Sequence, residues 1–172
     1  ILDMLEHTLL EPQAALQQAL QAYGWSEYRQ VTVVDAQGRV AHFSGQQTLG
    51  TYNAIAGKQC VAAGNMLASP QVVEHMVQQF ETTPGALADR LLAAMHAGIA
   101  AGGEEGPVHS AALKVAGEQV WPIIDLRVDW ADSQPIEALD QLWRAYQPQM
   151  QAYLTRALNP TAAPSYGVPG NV

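Results

Sequence analysis

Two stretches rich in β-forming residues, each interrupted by a glycine turn, constrain the fold of this chain more than any other feature. The first turns at Asp35–Gly38 and the second around Gly117-Glu118. Such runs on both sides of a short glycine turn predict antiparallel β-hairpins. Pro122 falls inside the second hairpin and predicts a bulge or an edge position there. The predicted strands are Tyr28–Val34, Arg39–Ser44, His109–Val115 and Val120–Val128.

A further strand and two helices separate the hairpins. The small apolar run Gln59–Ala63 predicts the strand, and Ser69-Pro70 and Thr83-Pro84 are helix starts, each with proline at the first turn. Gly102-Gly103 ends the second of these helices. Antiparallel strands segregated from helices indicate an α+β fold rather than βαβ units.

Helical patterns also occupy both ends of the chain. One helix is predicted from Glu11-Pro12 to Gly24, and another from Pro135, with Pro148 expected to break or kink it. Leucines at helical spacing begin at Leu2 without a start signal, so we expect the chain to be part of a longer product. The tail from Asn159 is rich in proline and small residues and predicts an extended arm over 159–172, after a single domain over 1–158.

Charge and composition exclude several classes of function. The 172 residues carry a formal net charge of −8, and the eight basic residues are scattered, which argues against nucleic acid and anionic membranes as partners. The longest apolar-rich stretch, 86–101, contains Asp89, Arg90 and His96 and is not a membrane span. The only cysteine, Cys60, is predicted to be a core residue. A free thiol fits a reducing cytoplasm, although a leader before Ile1 stays open.

No motif for a metal or a cofactor is present in the sequence. It contains no G-x-G-x-x-G, no phosphate loop and no CxxC, and the five histidines are far apart. Ser110 follows His109 directly, but adjacent strand residues point to opposite faces, so a nucleophile–base pair is not expected there. We therefore expect neither a metal nor a cofactor.

Gly64-Asn65 ends the strand predicted before the first central helix. One reading is a turn, since glycine and asparagine are common turn residues. The other is an oxyanion site, because a backbone N–H and a carboxamide can hold a developing negative charge. The residue pattern leaves both readings open.

An acid, a base and an acid alternate along the last predicted strand. Asp125, Arg127 and Asp129 are predicted to share one face, with Leu126 and Val128 on the other. Such a row is either a solvated surface or a clamp for a charged substrate group. The sequence alone does not choose between the two.

Read together, several segments resemble the bacterial DUF1028 family, whose members are assigned to the superfamily of N-terminal-nucleophile (Ntn) hydrolases. The resemblance covers nearly the whole chain in order, and G-N-M-L-A and D-L-R-V-D are its specific strings. It rests on "EYRQVTVVDAQGRVAHFSG", "CVAAGNMLASPQVVEHM", "LADRLLAAMHAGIAAGGEEGPVHSAALKV", "IIDLRVDWADSQPIEALDQLW" and "YLTRALNPTAAPSYGVPG".

The resemblance implies a four-layer α/β/β/α sandwich with antiparallel sheets, here incomplete at the N-terminus. Family members are longer at that end, where the Thr or Ser nucleophile is expected, and Ile1 has no hydroxyl or thiol. Gly50-Thr51 has the form of an internal cleavage site that would free a threonine, or it is an ordinary loop. The acidic Glu104-Glu105 departs from a basic stretch in relatives and puts the substrate class in doubt.

The function implied is an amidohydrolase acting on a small-molecule or peptide-like substrate. Gly64 and Asn65 would stabilise the oxyanion, and Met66 and Leu67 would line the pocket. Asp125, Arg127 and Asp129 would bind or organise the substrate. The alternative is a small-molecule-binding or assembly protein that keeps the Ntn-like fold without hydrolysis.

Five predicted strands are too few for two stacked sheets. We therefore expect an open sheet edge, which a further segment or another chain would complete. The expected assembly is a homo-oligomer or a pairing with a companion N-terminal chain.

Overall fold

The computed structural model describes residues 1–7 and 9–165, and the residues form two compact units. The first is Ile1–Val108 and the second begins at His109, with its described part at 109–165. Each unit is described by itself below. The single domain over 1–158 stays a prediction.

Five α-helices and six β-strands make up the described parts of both units. Short 3-10 turns lie at Ser26–Tyr28 and Pro160–Ala162. The helices are α1 Leu2–His7, α2 Pro12–Ala22, α3 Gln71–Thr82, α4 Leu87–Ala100 and α5 Pro135–Leu158; the strands are β1 Gln30–Val34, β2 Val40–Ser44, β3 Asn53–Gly57, β4 Cys60–Gly64, β5 Ala111–Ala116 and β6 Pro122–Val128.

Strands β1 and β2 form the first predicted hairpin and carry α2 on one face. The register pairs Gln30 with Ser44, so that Val33 and its neighbours on that face point towards the helix. Leu16 of α2, Val33 and Ala41 are buried together as one core cluster. The register of the strands therefore determines which face of the hairpin is covered.

The turn of this hairpin is fixed by a carboxylate. Asp35, whose side chain is only 4% exposed, accepts hydrogen bonds from the backbone N–H of Gln37 at 3.0 Å and of Arg39 at 2.8 Å. The Arg39 guanidinium bonds Asp35 at 2.6 Å and also pairs with Glu11 at the start of α2. Burial raises the pKa of Asp35, but the bonds from Arg39 outweigh it and leave the pKa below its ordinary value. The turn is thereby tied to α2.

Strands β3 and β4 form a hairpin of which the sequence predicted only the second strand. They pair antiparallel with Asn53 opposite Gly64. Helix α3 packs on this hairpin, and Ile55 contacts a buried cluster of Leu67, Val72 and Val73. Helix α4 packs in turn against α3. The helix starts predicted at Ser69-Pro70 and Thr83-Pro84 precede α3 and α4.

The two hairpins of the first unit lie next to each other as separate two-stranded sheets. Strand β1 is near β4 and β2 is near β3. At the closed ends, a Cβ on Gly38 would fall 2.6 Å from the side chain of Gln59. At the open ends, the side chain of Gln30 bonds backbone oxygens of β3 and β4. Helix α2 and helix α3 each cover a different hairpin.

In the second unit, α5 packs on the hairpin of β5 and β6. The pairing shifts register between Val115 and Ala116, opposite Pro122, so the predicted bulge at this proline is confirmed. Buried residues of the unit include Leu113, Val115, Ile124, Ile136, Leu139 and Trp143.

Helix α5 continues through Pro148, where the sequence predicted a break or a kink. A proline removes one backbone N–H from the ladder. The oxygen that loses its partner is that of Arg144, four residues before Pro148. The Gln149 carboxamide bonds the next oxygen along, that of Ala145, at 2.9 Å. The helix runs on to Leu158, so the predicted break at Pro148 is wrong.

The observed architecture is α+β with small antiparallel sheets, as predicted. Within the described residues each strand pairs with one other strand, and completion of the sheets by another segment stays a prediction. None of the helices described is long and apolar enough to cross a membrane. The predicted tail of 159–172 is described only to Ser165, and its last seven residues, like Thr8, lie outside the described residues.

Candidate functional site

The turn that follows β4 is held by backbone hydrogen bonds to two other segments of the first unit, 49–51 and 103–105. Met66 has a φ of +51°, a left-handed conformation that is costly for a residue with a side chain. Gly50, with a φ of +67°, lets the chain approach so closely that a Cβ there would lie 3.0 Å from Met66 Cα. Three N–H groups of the turn donate to carbonyl oxygens: Met66 to Leu49 O at 3.1 Å, Leu67 to Thr51 O at 2.9 Å and Ala68 to Gly103 O at 3.0 Å. In the fourth bond, the N–H of Glu105 donates to Met66 O at 2.7 Å.

These bonds determine which hydrogen-bond donors of the turn are available to a ligand. The backbone N–H groups of Met66, Leu67 and Ala68 already bond carbonyl oxygens of the protein. Among the residues that the structure describes, the Asn65 carboxamide makes one hydrogen bond, from Nδ2 to Leu49 O, and its 3.5 Å is at the outer limit of a hydrogen bond. Since an amide nitrogen carries two hydrogens, Asn65 retains a donor for another acceptor.

The position of Gly64 leaves little room for a side chain. A Cβ on Gly64 would lie 2.7 Å from Cδ2 of Leu67, a side chain that is only 5% exposed. Gly64 therefore lets the chain turn tightly over the buried Leu67. Met66, by contrast, is 46% exposed beside Asn65, and its place in a pocket wall stays a prediction.

Gly64 and Asn65 belong to a polar group at the open ends of all four strands, which we call the strand-end cluster. Its members are Gln30, Ser44, Asn53, Gly64 and Asn65. Gln30 Nε2 lies 3.0 Å from Ser44 Oγ, 3.1 Å from Asn53 O and 3.2 Å from Gly64 O. The cluster thus joins two hairpins that share no backbone ladder.

Asn53 fixes the other border of the cluster. Its Nδ2 donates to Pro70 O at 2.9 Å, immediately before α3, and its Oδ1 accepts from Ala54 N at 2.9 Å. The start of β3, the end of β4 and the start of α3 are therefore bonded to one another around Asn65.

The charged residues predicted on β6 do share one face, and we call Asp125, Arg127 and Asp129 the charged row. Arg127 pairs with Asp129 at 3.0 Å, and Asp125 pairs with Lys114 of β5 at 3.1 Å. The side chains of Asp125, Arg127 and Asp129 are 45%, 63% and 78% exposed. The hydrogen bond to Asp129 raises the pKa of Arg127, so its charge is constant. The charged row belongs to the second unit and Asn65 to the first, and their roles in binding substrate stay predictions.

His109 and Trp130 form a further ordered pair in the second unit. The rings stack with centroids 4.1 Å apart and planes 7° from parallel. His109 Nδ1 lies 2.8 Å from Ala131 O, so Nδ1 carries the proton in neutral histidine. The backbone N–H of Ala131 donates to His109 O at 2.8 Å, which extends the ladder beyond β5 and β6. The pair closes the open end of this hairpin.

Cys60 has the surroundings of an unreactive thiol. Burial and the Glu81 carboxylate raise the pKa of Cys60, which disfavours the nucleophilic thiolate. Gly57 allows this packing, because a Cβ there would lie 2.8 Å from the sulfur. In the part of the chain that the structure describes, no three His, Cys, Asp or Glu residues are grouped to hold a metal ion.

The comparisons with known proteins confirm the family resemblance for most of the chain, and the segment quoted from Tyr153 onward lies beyond the matched residues. Residues 1–139 match DUF1028, which is described as a family of unknown function. The chain belongs to the DUF1028 family. The crystal structure of the family protein SPO2555 from Silicibacter pomeroyi is similar, with a TM-score of 0.73 and 29% sequence identity. That match covers 80% of this chain and 59% of the other, so this DUF1028 chain spans less than two thirds of its relative's length. No curated protein matches the chain.

The sequence singled out Gly64 and Asn65 of the strand-end cluster, with Met66 beside them, but missed the cluster members Gln30, Ser44 and Asn53. The feature that could have identified these three residues is the register of the two hairpins, because Gln30 pairs with Ser44 and Asn53 pairs with Gly64. Without β3, nothing in the sequence connected Asn53 to the end of β4. The cluster could be found only once both hairpins were known.

Proposed function

We propose that this DUF1028 chain forms part of an Ntn-type amidohydrolase, in which Asn65 stabilises the oxyanion formed from the carbonyl oxygen of the scissile amide. The observation that carries the proposal is the Asn65 carboxamide, weakly bonded itself but standing on a turn that four backbone hydrogen bonds hold. A donor fixed before the reaction costs no reorganisation when charge develops, which is the requirement for an oxyanion site.

The packing of the first unit supports the Ntn-like part of the proposal. Helix α2 covers the hairpin of β1 and β2, and α3 covers the hairpin of β3 and β4. The two hairpins are neighbours, so the order helix, hairpin, hairpin, helix is compatible with an α/β/β/α sandwich. The site would lie at the open ends of the strands.

The reaction that we propose has two steps. The hydroxyl of an N-terminal Thr or Ser, in a segment preceding Ile1, attacks the amide carbonyl, and the α-amine of that residue takes the proton. Nδ2 of Asn65 donates to the oxyanion until the C–N bond breaks and the amine leaves with the proton. Water then hydrolyses the ester, releases the acid and restores the hydroxyl.

The residues around Asn65 have limited roles in this scheme. The backbone N–H groups of Met66, Leu67 and Ala68 are not available as donors, because they bond carbonyl oxygens of the protein. Gly64 provides the tight approach, and Met66 forms an apolar wall. The charged row is proposed to bind a charged group of the substrate.

The proposal is tested with the full-length protein and its Asn65→Asp variant. The substrates are acyl-p-nitroanilides and dipeptides with acidic, basic or apolar acyl groups, and products are identified by mass spectrometry. We expect the wild type to cleave at least one class and the variant to lose about 100-fold or more in kcat, because a carboxylate repels the oxyanion.

Two further results complete the test. An intact-mass measurement is expected to show Thr, Ser or Cys at the mature N-terminus. A protein that binds compounds of the panel and releases every one intact, without such an N-terminus, would be the non-catalytic binding protein instead.

A further inference from the structure

The side chain of Gln30 has an unusual environment in the strand-end cluster. Three oxygens, Ser44 Oγ, Asn53 O and Gly64 O, lie 3.0, 3.1 and 3.2 Å from its one nitrogen. That nitrogen has two hydrogens, so at least one hydrogen is shared between two acceptors. The reversed amide would bring its oxygen against two carbonyl oxygens, so the chemistry fixes which end of the carboxamide faces them.

The acceptors come from every other strand of the first unit. Gln30 begins β1, while Ser44 ends β2, Asn53 begins β3 and Gly64 ends β4. The two hairpins form separate sheets, so no backbone ladder holds their open ends together. The Gln30 carboxamide supplies a connection that the ladders do not.

The bond to Gly64 has a specific consequence for Asn65. A peptide group is planar, so fixing the Gly64 carbonyl fixes the plane that also contains the Asn65 nitrogen. On the other side, the N–H of Met66 donates to Leu49 O at 3.1 Å and fixes the next peptide plane. With both flanking planes held, the direction in which the Asn65 side chain leaves the backbone is set.

We propose that Gln30 is a positioning residue that aims the Asn65 carboxamide through the Gly64 carbonyl. The inference rests on the proposed function, because Asn65 is the oxyanion donor whose direction Gln30 is proposed to set. Gln30 touches no reacting atom; it acts through Gly64. A donor misplaced by about 1 Å costs on the order of 100-fold in rate. Loss of the Gln30 bond is therefore expected to lower the reaction rate more than it lowers the stability of the fold.

The test uses three variants of the full-length protein. Gln30→Met keeps the length of the side chain but removes its donors, and Gln30→Lys offers three N–H donors to the three oxygens. Gln46→Met is the matched control, because Gln46 is exposed just beyond Ser44 and none of the three oxygens bonds it. The measurements are kcat, KM, melting temperature and the Asn65 side-chain NH2 signal in a ¹H–¹⁵N spectrum.

We expect Gln30→Met to lower kcat about 10- to 100-fold with KM changed less than about twofold. The Asn65 NH2 signal is expected to move in this variant, Gln30→Lys to recover most of kcat, and Gln46→Met to match the wild type in every measurement. A purely structural role would lower the melting temperature of Gln30→Met and leave kcat and the Asn65 signal of the folded protein unchanged.

The possible failures are distinguishable. If Asn65→Ala loses activity while Gln30→Met keeps kcat, the positioning role is wrong and the proposed function stands. If Asn65→Ala keeps full activity, or if no amide is cleaved, the proposed function is wrong. In that case the positioning role is still tested by NMR. If the Asn65 side-chain NH2 signal is the same in Gln30→Met and the wild type, the positioning role is wrong as well.

Discussion

Gly64 and Asn65 of the strand-end cluster and the residues of the charged row were predicted as parts of one site, and the surroundings of the two regions differ. In the cluster, side chains and backbone oxygens of four strands are bonded to one another, and Asn65 keeps a free donor. In the row, each charge has an opposite charge within 3.1 Å and lies largely in water. In the first region, hydrogen bonds hold the backbone that carries the uncharged Asn65 donor; in the second, the charges lie on exposed side chains.

The difference is the reason why the proposed function assigns the chemical step to the strand-end cluster and only a binding role to the charged row. Exposed ion pairs contribute little, because water and salt screen them and long side chains lose entropy when they pair. In the cluster, the turn sets the direction in which the Asn65 side chain leaves the backbone, so less reorganisation is needed when charge develops on a ligand. The first arrangement suits catalysis better than the second.

The largest effect is expected next to the cluster, at Gly45. A Cβ at Gly45 would fall onto the backbone of Glu27, which cannot move without breaking the end of β2. Gly45→Ala is therefore expected to lower the free energy of unfolding by at least about 3 kcal/mol in urea titrations. Gly24→Ala is the control, since no atom lies within 4 Å of its Cβ and a change below about 0.5 kcal/mol is expected. Equal stabilities of the two variants would mean that the end of β2 is not rigid.

A smaller effect is expected from Asn53, which makes two side-chain bonds at the border of the cluster. Asn53→Ala is predicted to cost about 1–2 kcal/mol, at about 1 kcal/mol for each bond. Asp125→Ala in the charged row is the comparison and should cost less than about 1 kcal/mol. Urea denaturation of both variants measures the difference, and the reverse order would contradict the contrast between the two regions.

Asp35 combines the charge of the row with the backbone bonding of the cluster. Because its pKa in the folded protein lies below the ordinary 3.8, the ionised carboxylate adds stability above that pH, and the contribution disappears as the pH falls through the lowered pKa. Asp35→Asn should therefore be less stable at neutral pH and lose less of its remaining stability on acidification. Thermal unfolding of both proteins between about pH 6 and pH 2 tests this, and parallel pH profiles would show that Asp35 does not contribute.

The smallest effect on stability is expected from Arg127. Since Arg127 and Asp129 are exposed, Arg127→Ala should change the melting temperature by less than about 2 °C, and added salt should reduce the difference further. KM measured on the same variant tests the substrate role. A tenfold rise in KM would support the predicted contact with substrate, and an unchanged KM would leave the row a solvated face.

Much of the fold follows from local signals in the sequence. Runs of β-forming residues on both sides of a glycine turn predicted β1, β2, β5 and β6, and proline after Ser69 or Thr83 predicted the two central helices. Strand β3 was missed because Asn53–Gly57 is made of asparagine, alanine, isoleucine and glycine, most of which have low strand propensity. It is stabilised by close packing, since a Cβ on Gly57 would lie 2.5 Å from Val77 of α3.

The same missing strand explains how much of the site could be predicted. Gly64-Asn65 was found because the pair ends an apolar run, which is a local signal. Gln30 was not recognised as a site residue, because a glutamine at the start of a strand is not distinctive by itself. Its role is visible only in the structure, where oxygens of three other strands lie within hydrogen-bond distance of its nitrogen. Contacts of that kind depend on packing, which single-sequence patterns do not encode.

The most direct test of the central claim measures kcat and melting temperature together for Asn65→Ala in the full-length protein. If Asn65 is a preorganised oxyanion donor, kcat falls about 100- to 1000-fold, equivalent to about 3–4 kcal/mol, while the melting temperature changes by less than about 2 °C. If Asn65 only completes a turn, kcat is unchanged and the melting temperature falls, and the claim is contradicted.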